Sequence, residues 1–187
     1  MTGTQYIALL RGINVGGSNI IKMTDLKLLF EDMGFRDVAT YIQSGNVLFK
    51  TRKTRVETLV TGIEKELSSK FGYQARVVLR SHAQLKQAVE GAPPAYGNDP
   101  AFRYDLLFVK EPVTPAEIMK DITLKEGVDQ AWKGEGVVYF ARVAERASQS
   151  RLPRLVVLPI YQNVTARNWN TTLKLLALMN ARAEASG

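Results

Sequence analysis

One order of elements is written into this chain twice, and few architectures satisfy it. Residues 6–10 form an apolar run of strand length, and Leu26, Leu29, Phe30 and Met33 then mark one face of a helix. Gly34 stands where a left-handed C-cap is wanted, with Phe35 able to fold back on the last turn. The β-prone runs 38–43 and 47–50 flank Ser44-Gly45-Asn46, a tight hairpin. Thr54 and Glu57 have capping-box spacing ahead of Val56, Leu59, Val60, Ile63 and Leu67, the buried stripe of a longer helix closed by Gly72. A strand at 76–79 and a helix through Val89, capped by Ser81 with Gln84, complete the order βαββαβα.

The stretch Gly91-Ala92-Pro93-Pro94-Ala95-Tyr96-Gly97-Asn98-Asp99-Pro100 has the composition of a linker, and after it the order repeats. A strand at 104–109 leads to a short helix opened by Thr114, Pro115 and Glu117. Strands at 128–132 and 137–142 join around Lys133-Gly134-Glu135-Gly136; a helical segment at 152–158, an extended piece at 161–164 and a last helix over 169–183 follow. The expected architecture is α+β, with two ferredoxin-like halves, each βαββαβ plus an added helix, arising by internal duplication and packed together. The domains are expected at 1–91 and 101–187, joined by the linker 91–100. The first strand is apolar on both faces, Ile7 and Leu9 on one and Ala8 and Leu10 on the other, so both faces of its sheet are expected to be covered.

Bulk chemistry narrows the function classes. The chain contains no cysteine and a single histidine, which removes thiolate chemistry and most zinc sites; no metal or cofactor is indicated. No leader-like segment opens the sequence and no apolar run reaches membrane-spanning length, so the expectation is a cytoplasmic protein without a membrane partner. The formal charge is +7, and residues 1–95 hold 13 Lys/Arg against 8 Asp/Glu while the remainder holds 12 against 10. Such an excess draws phosphates and nucleic acids, although basic proteins without these partners are also common.

Three stretches stand out chemically. Leu10-Arg11-Gly12-Ile13-Asn14-Val15-Gly16-Gly17-Ser18-Asn19 leaves the first strand through three glycines and delivers the chain to a helix near Thr24, with Lys22 before it. Backbone amides exposed at such a turn, together with a helix N-terminus, are suited to an anion; a simple turn is the competing reading. Gly12 and Gly17 have Walker A spacing, but Ser18 and Asn19 stand where that motif needs Lys and Ser/Thr, and GxGxxG is absent. Residues 42–49 match part of an RNA-recognition consensus at Gly45, Val47 and Phe49, but Ser44 and Asn46 occupy two of its aromatic places. Lys50-Thr51-Arg52-Lys53-Thr54-Arg55 reads as a solvated basic loop or a phosphate contact. In Thr165-Ala166-Arg167-Asn168-Trp169-Asn170-Thr171, Asn168 is placed to cap the last helix and Arg167 to meet either an internal carboxylate or the cleft that Arg11 faces. His82, the lone histidine, sits at the first position of a capped helix with no sequence-evident orienting carboxylate.

The words Tyr6 to Gly17, Tyr41-Ile42-Gln43-Ser44-Gly45-Asn46-Val47 and Thr165 to Thr171 resemble, in this order, the signature words of the bacterial family called domain of unknown function 1697. The resemblance covers nearly the whole chain. It implies a two-part α+β protein with a ferredoxin-like N-terminal half, and it implies no activity.

These readings converge on a protein that binds an anionic, phosphate-bearing ligand: a nucleotide, a metabolite or a nucleic-acid backbone. Arg11, Asn14, Gly16, Gly17 and Lys22 are the expected wall of the site, with Ser44, Asn46, Arg167 and Asn168 as additions. Two other readings stay open. One is an enzyme acting on a small phosphorylated substrate, with these residues as an electrostatic clamp; the other is a scaffold or dimerisation module in which the polar words are caps and turns.

Overall fold

The computed structural model describes residues 3–14, 17, 19–52 and 54–185. Among these described residues, eight strands and six α-helices follow one another as β1 (Thr4–Leu10), α1 (Met23–Asp32), β2 (Arg36–Tyr41), β3 (Asn46–Thr51), α2 (Val56–Phe71), β4 (Val77–Ser81), α3 (His82–Glu90), β5 (Phe102–Val109), α4 (Pro115–Asp121), β6 (Asp129–Lys133), β7 (Val137–Val143), α5 (Leu152–Val156), β8 (Val164–Asn168) and α6 (Trp169–Glu184). They build two four-stranded antiparallel sheets, ordered β2-β3-β1-β4 and β6-β7-β5-β8. Each is the ferredoxin-like arrangement that the repeated order predicts. Two compact units result: residues up to Gln84 together with Ala177 onward, and Leu85–Leu176.

In the first unit the helix-facing side of β1 carries Tyr6, Ala8 and Leu10, which bury against Leu26, Leu29 and Phe30 of α1 and Leu59, Ile63 and Leu67 of α2. At about 25 cal/mol per Å² of apolar surface removed from water, this continuous cluster is the main favourable term in the unit. Ile7 and Leu9, on the opposite side of β1, are fully buried as well. The end of α1 follows its sequence signal: Gly34 takes a left-handed φ of 80°, and the Phe35 N–H donates to the Phe30 carbonyl (3.2 Å). The Phe35 ring then stacks on Phe49 with centroids 4.5 Å apart. Capping boxes form at Ser81 with Gln84 and at Thr114 with Glu117.

Two local expectations need correction. Thr54 does not cap α2: the helix begins at Val56, its N-cap is Arg55, and no side chain caps it. The start is one residue later than the Thr54–Glu57 pattern requires. The extended piece expected at 161–164 is instead a 3₁₀ turn, Pro159–Asn163, and the strand follows it as β8. Arg167 therefore lies inside a strand, two residues before α6, and not at a helix start.

The two units correspond position by position. Leu10 N–H donates to Gly45 O (2.8 Å) and Val109 N–H to Gly136 O (3.0 Å); Arg11 N–H donates to Arg76 O (2.9 Å) and Lys110 N–H to Asn163 O (2.8 Å). Gly45 and Gly136 both have positive φ, 74° and 66°. Ile7 pairs with Arg80 across β1 and β4 as Leu106 pairs with Arg167 across β5 and β8. Each of these arginines is 7% exposed and donates from Nη1 to the carbonyl of its preceding residue at 2.8 Å. On this register Gln5 corresponds to Tyr104, Lys50 to Ala141, Ser81 to Asn168 and His82 to Trp169.

Candidate functional site

The glycine-rich loop is held from within by its asparagines. Asn14 adopts a left-handed φ of 53°, a conformation its short polar side chain tolerates. Its Nδ2 donates to Ile21 O (3.0 Å) and Gln43 O (2.9 Å), and its Oδ1 accepts from Ile21 N–H (2.8 Å). Asn19 Nδ2 donates to Gly12 O (2.8 Å), and the Asn14 N–H donates to Asn19 O (3.1 Å). The β2–β3 hairpin locks into the same structure. Asn46, fully buried, donates to Tyr41 O (2.9 Å) and Ser44 Oγ (3.0 Å). A side chain on Gly45 would press on Leu10 Cβ at 2.8 Å and on the Ile13 side chain, so only glycine lets the hairpin approach. The loop and the hairpin are thus one interlocked piece.

The expected site residues consequently divide. Asn14, Ser44 and Asn46 are engaged with neighbouring backbone and with one another. Lys22 and Gly17 are exposed, and Lys22 precedes the first turn of α1 without a side-chain capping bond. Arg11 follows β1 half-buried. Gly16 lies outside the described residues. In the second unit, Asn168 does cap α6, its Oδ1 accepting from Thr171 N–H at 2.7 Å. Arg167 is buried in β8, and desolvation lowers its pKa to about 10, with Tyr161 opposing that fall; it is still a cation at neutral pH.

A cavity of about 990 Å³ opens at the other end of β1, roughly 20 Å along the strand from the glycine loop. Its walls include Gln5, Arg36, Asp37, Lys50, Arg52 and His82. Arg36, Lys50 and Gln5 form a row across β2, β3 and β1, on the sheet face opposite the α1/α2 core. Lys50 Nζ pairs with Asp37 at 3.0 Å, and His82 Nε2 lies 2.6 Å from Asn180 Oδ1. Sequence reasoning offered the basic run 50–55 as a solvated loop or a phosphate contact and assigned no site to its neighbours here. The four groups Gln5, Arg36, Lys50 and His82 are spread over 78 residues, and strand register alone makes them neighbours. Among the described residues, no three acidic or histidine side chains gather to hold a metal ion.

The model of a protein family of unknown function, DUF1697, matches residues 3–139, nearly three quarters of the chain. The chain belongs to the DUF1697 family. The solved structure of the conserved bacterial protein SP0830 from Streptococcus pneumoniae is similar over 94% of this chain and 98% of that one, at 26% identity and a TM-score of 0.83. No curated protein matches the chain. Within this DUF1697 protein, the first two signature words are the interlocked loop and hairpin, and the third is the β8–α6 junction. No helix of the described residues is long and apolar enough to cross a membrane.

Proposed function

We propose that this DUF1697 protein is a cytoplasmic binding protein for an anionic, phosphate-bearing ligand held at the loop after β1. Arg11, Gly17 and Lys22 are its direct contacts, and Asn14 positions them. One observation carries the reading. The connection between β1 and α1 runs from Arg11 to Lys22, whereas the corresponding connection between β5 and α4 needs only Lys110 to Thr114. A scaffold built on the same plan joins strand to helix with five residues in one half and twelve in the other. The longer connection is also cross-tied by two asparagine side chains. Long surface loops on a rigid frame are where binding groups are placed. The chain's charge of +7 favours an anion as the ligand.

The scaffold reading draws support from the same hydrogen bonds, because Asn14, Asn46 and Asn168 serve the backbone in all three signature words. Lys22 separates the two readings. It is exposed and makes no cap, so Lys22→Ala leaves the unliganded melting temperature unchanged. If the loop binds phosphate groups, nucleotides and sugar phosphates stabilise the wild-type protein, as ligands of the native state must. Lys22→Ala then weakens that binding about tenfold, the loss of one charge-assisted hydrogen bond. Equal stabilisation of wild type and variant removes the loop from the site. No stabilisation by any phosphate compound leaves the scaffold reading.

A further inference from the structure

The cavity at the N-terminal end of β1 has a counterpart in the second unit, and there the chain fills the place with its own side chain. Tyr96, 7% exposed, lies against Tyr104, Trp132, Tyr139 and Trp169 with ring centroids 4.7 to 6.0 Å apart. Its hydroxyl reaches the carbonyls of Asp105 (2.9 Å) and Phe140 (3.0 Å). Tyr104 and Trp169 stand where the first unit has Gln5 and His82. Beside these two matched positions one unit places an aromatic ring, and the other has a cavity lined with polar and cationic groups.

In the first unit Gln5, 7% exposed, forms part of the cavity wall. Around it stand the cations Arg36, Lys50 and Arg52, against the single carboxylate of Asp37. α3 begins at His82 on the wall, so its N-terminal partial charge adds to the positive field. The volume of about 990 Å³ is at the upper end of small-molecule sites. We propose that this cavity is a second binding site, for a small hydroxylated organic phosphate whose phosphoryl group meets Arg36 and Arg52. The threonine and serine hydroxyls of Thr4, Thr51 and Ser81 on the same wall suit a sugar ring.

The protein carries its own reporter of this site, because its only histidine is on the wall. Tag-free full-length protein is titrated with AMP and ribose 5-phosphate, followed by the proton NMR signals of the His82 ring and by calorimetry. Adenosine, ribose, inorganic phosphate and a twelve-residue oligothymidylate are the comparisons. The expected result is movement of the His82 signals with at least one organic phosphate and with neither unphosphorylated compound. Arg36→Gln, at an exposed strand end, is expected to weaken binding about tenfold without changing the unliganded melting temperature. Lys22→Ala leaves the His82 response intact, which keeps this site distinct from the glycine loop. Unmoved His82 signals with every phosphate compound overturn the proposal. So does full binding by Arg36→Gln, or tighter, steeply salt-dependent binding of the oligonucleotide, which would mark a nucleic-acid groove.

Discussion

The two halves of this chain share a backbone plan and differ in what each keeps inside it. Both have a glycine of positive φ at the β-hairpin, a buried arginine on the strand after it, and a capped helix leaving that strand. One half then has a long cross-tied loop and an open cavity; the other has a short loop and a tyrosine in the matching place. Features common to both follow from the fold. Features present in one half alone are free to serve a ligand, which is the reason the functional proposals fall on the first unit.

The contrast can be tested by substitution. Tyr96→Ala removes the ring from the second unit and is expected to cost about 3–5 kcal/mol, as for other buried aromatic truncations. The same contacts make Gly97 intolerant: it has a φ of 87°, and a side chain there would overlap the Trp169 indole. A loss below about 1 kcal/mol for Tyr96→Ala, measured by urea unfolding, would mean that the ring only covers a surface and that the two places are not equivalent. Asn14→Ala deletes three hydrogen bonds at once and is expected to cost about 2 kcal/mol. No equivalent loss should be found at any single residue of the short loop 110–114. The smallest effects are those meant to be equal. Ser81→Ala and Asn168→Ala each remove the cap at a matched helix start, and each should cost about 1 kcal/mol. A clear inequality between the two caps would break the position-by-position correspondence.

Much of this was readable before any coordinates. Local signals did the work: the glycine and phenylalanine closing α1, the capping boxes of α3 and α4, the hairpin at Gly45 and the cap at Asn168 all act through residues within a few positions of one another. Thr54 misled because its spacing to Glu57 would start the helix at Arg55; the helix starts at Val56 and puts Arg55 at the N-cap. β8 was misplaced because Ala166 and Asn168 are weak strand formers, and the residues after Thr165 are held extended by pairing with β5, a partner more than 50 residues earlier. Of the polar cavity only the basic run from Lys50 stood out, for the same reason: Gln5 and Arg36 look like ordinary strand ends, and the ladder between β1, β3 and β2 is what sets them beside Lys50. The loop asparagines were recognised as distinctive, but sequence does not distinguish an amide that faces a ligand from one that ties Ile21 to Gln43.

The first unit is not finished by the first half of the chain. Asn180 reaches His82, Arg182 donates to the carbonyl of Asp37 at 2.7 Å, and Ala183 stands on the cavity wall. On a translating ribosome the N-terminal sheet therefore emerges early but waits, through the synthesis of the whole second unit, for the residues that close it. During that interval the sheet lacks Asn180, Arg182 and Ala183, which stand beside its polar row. A truncation ahead of Asn180 would accordingly injure the portion of the protein made first.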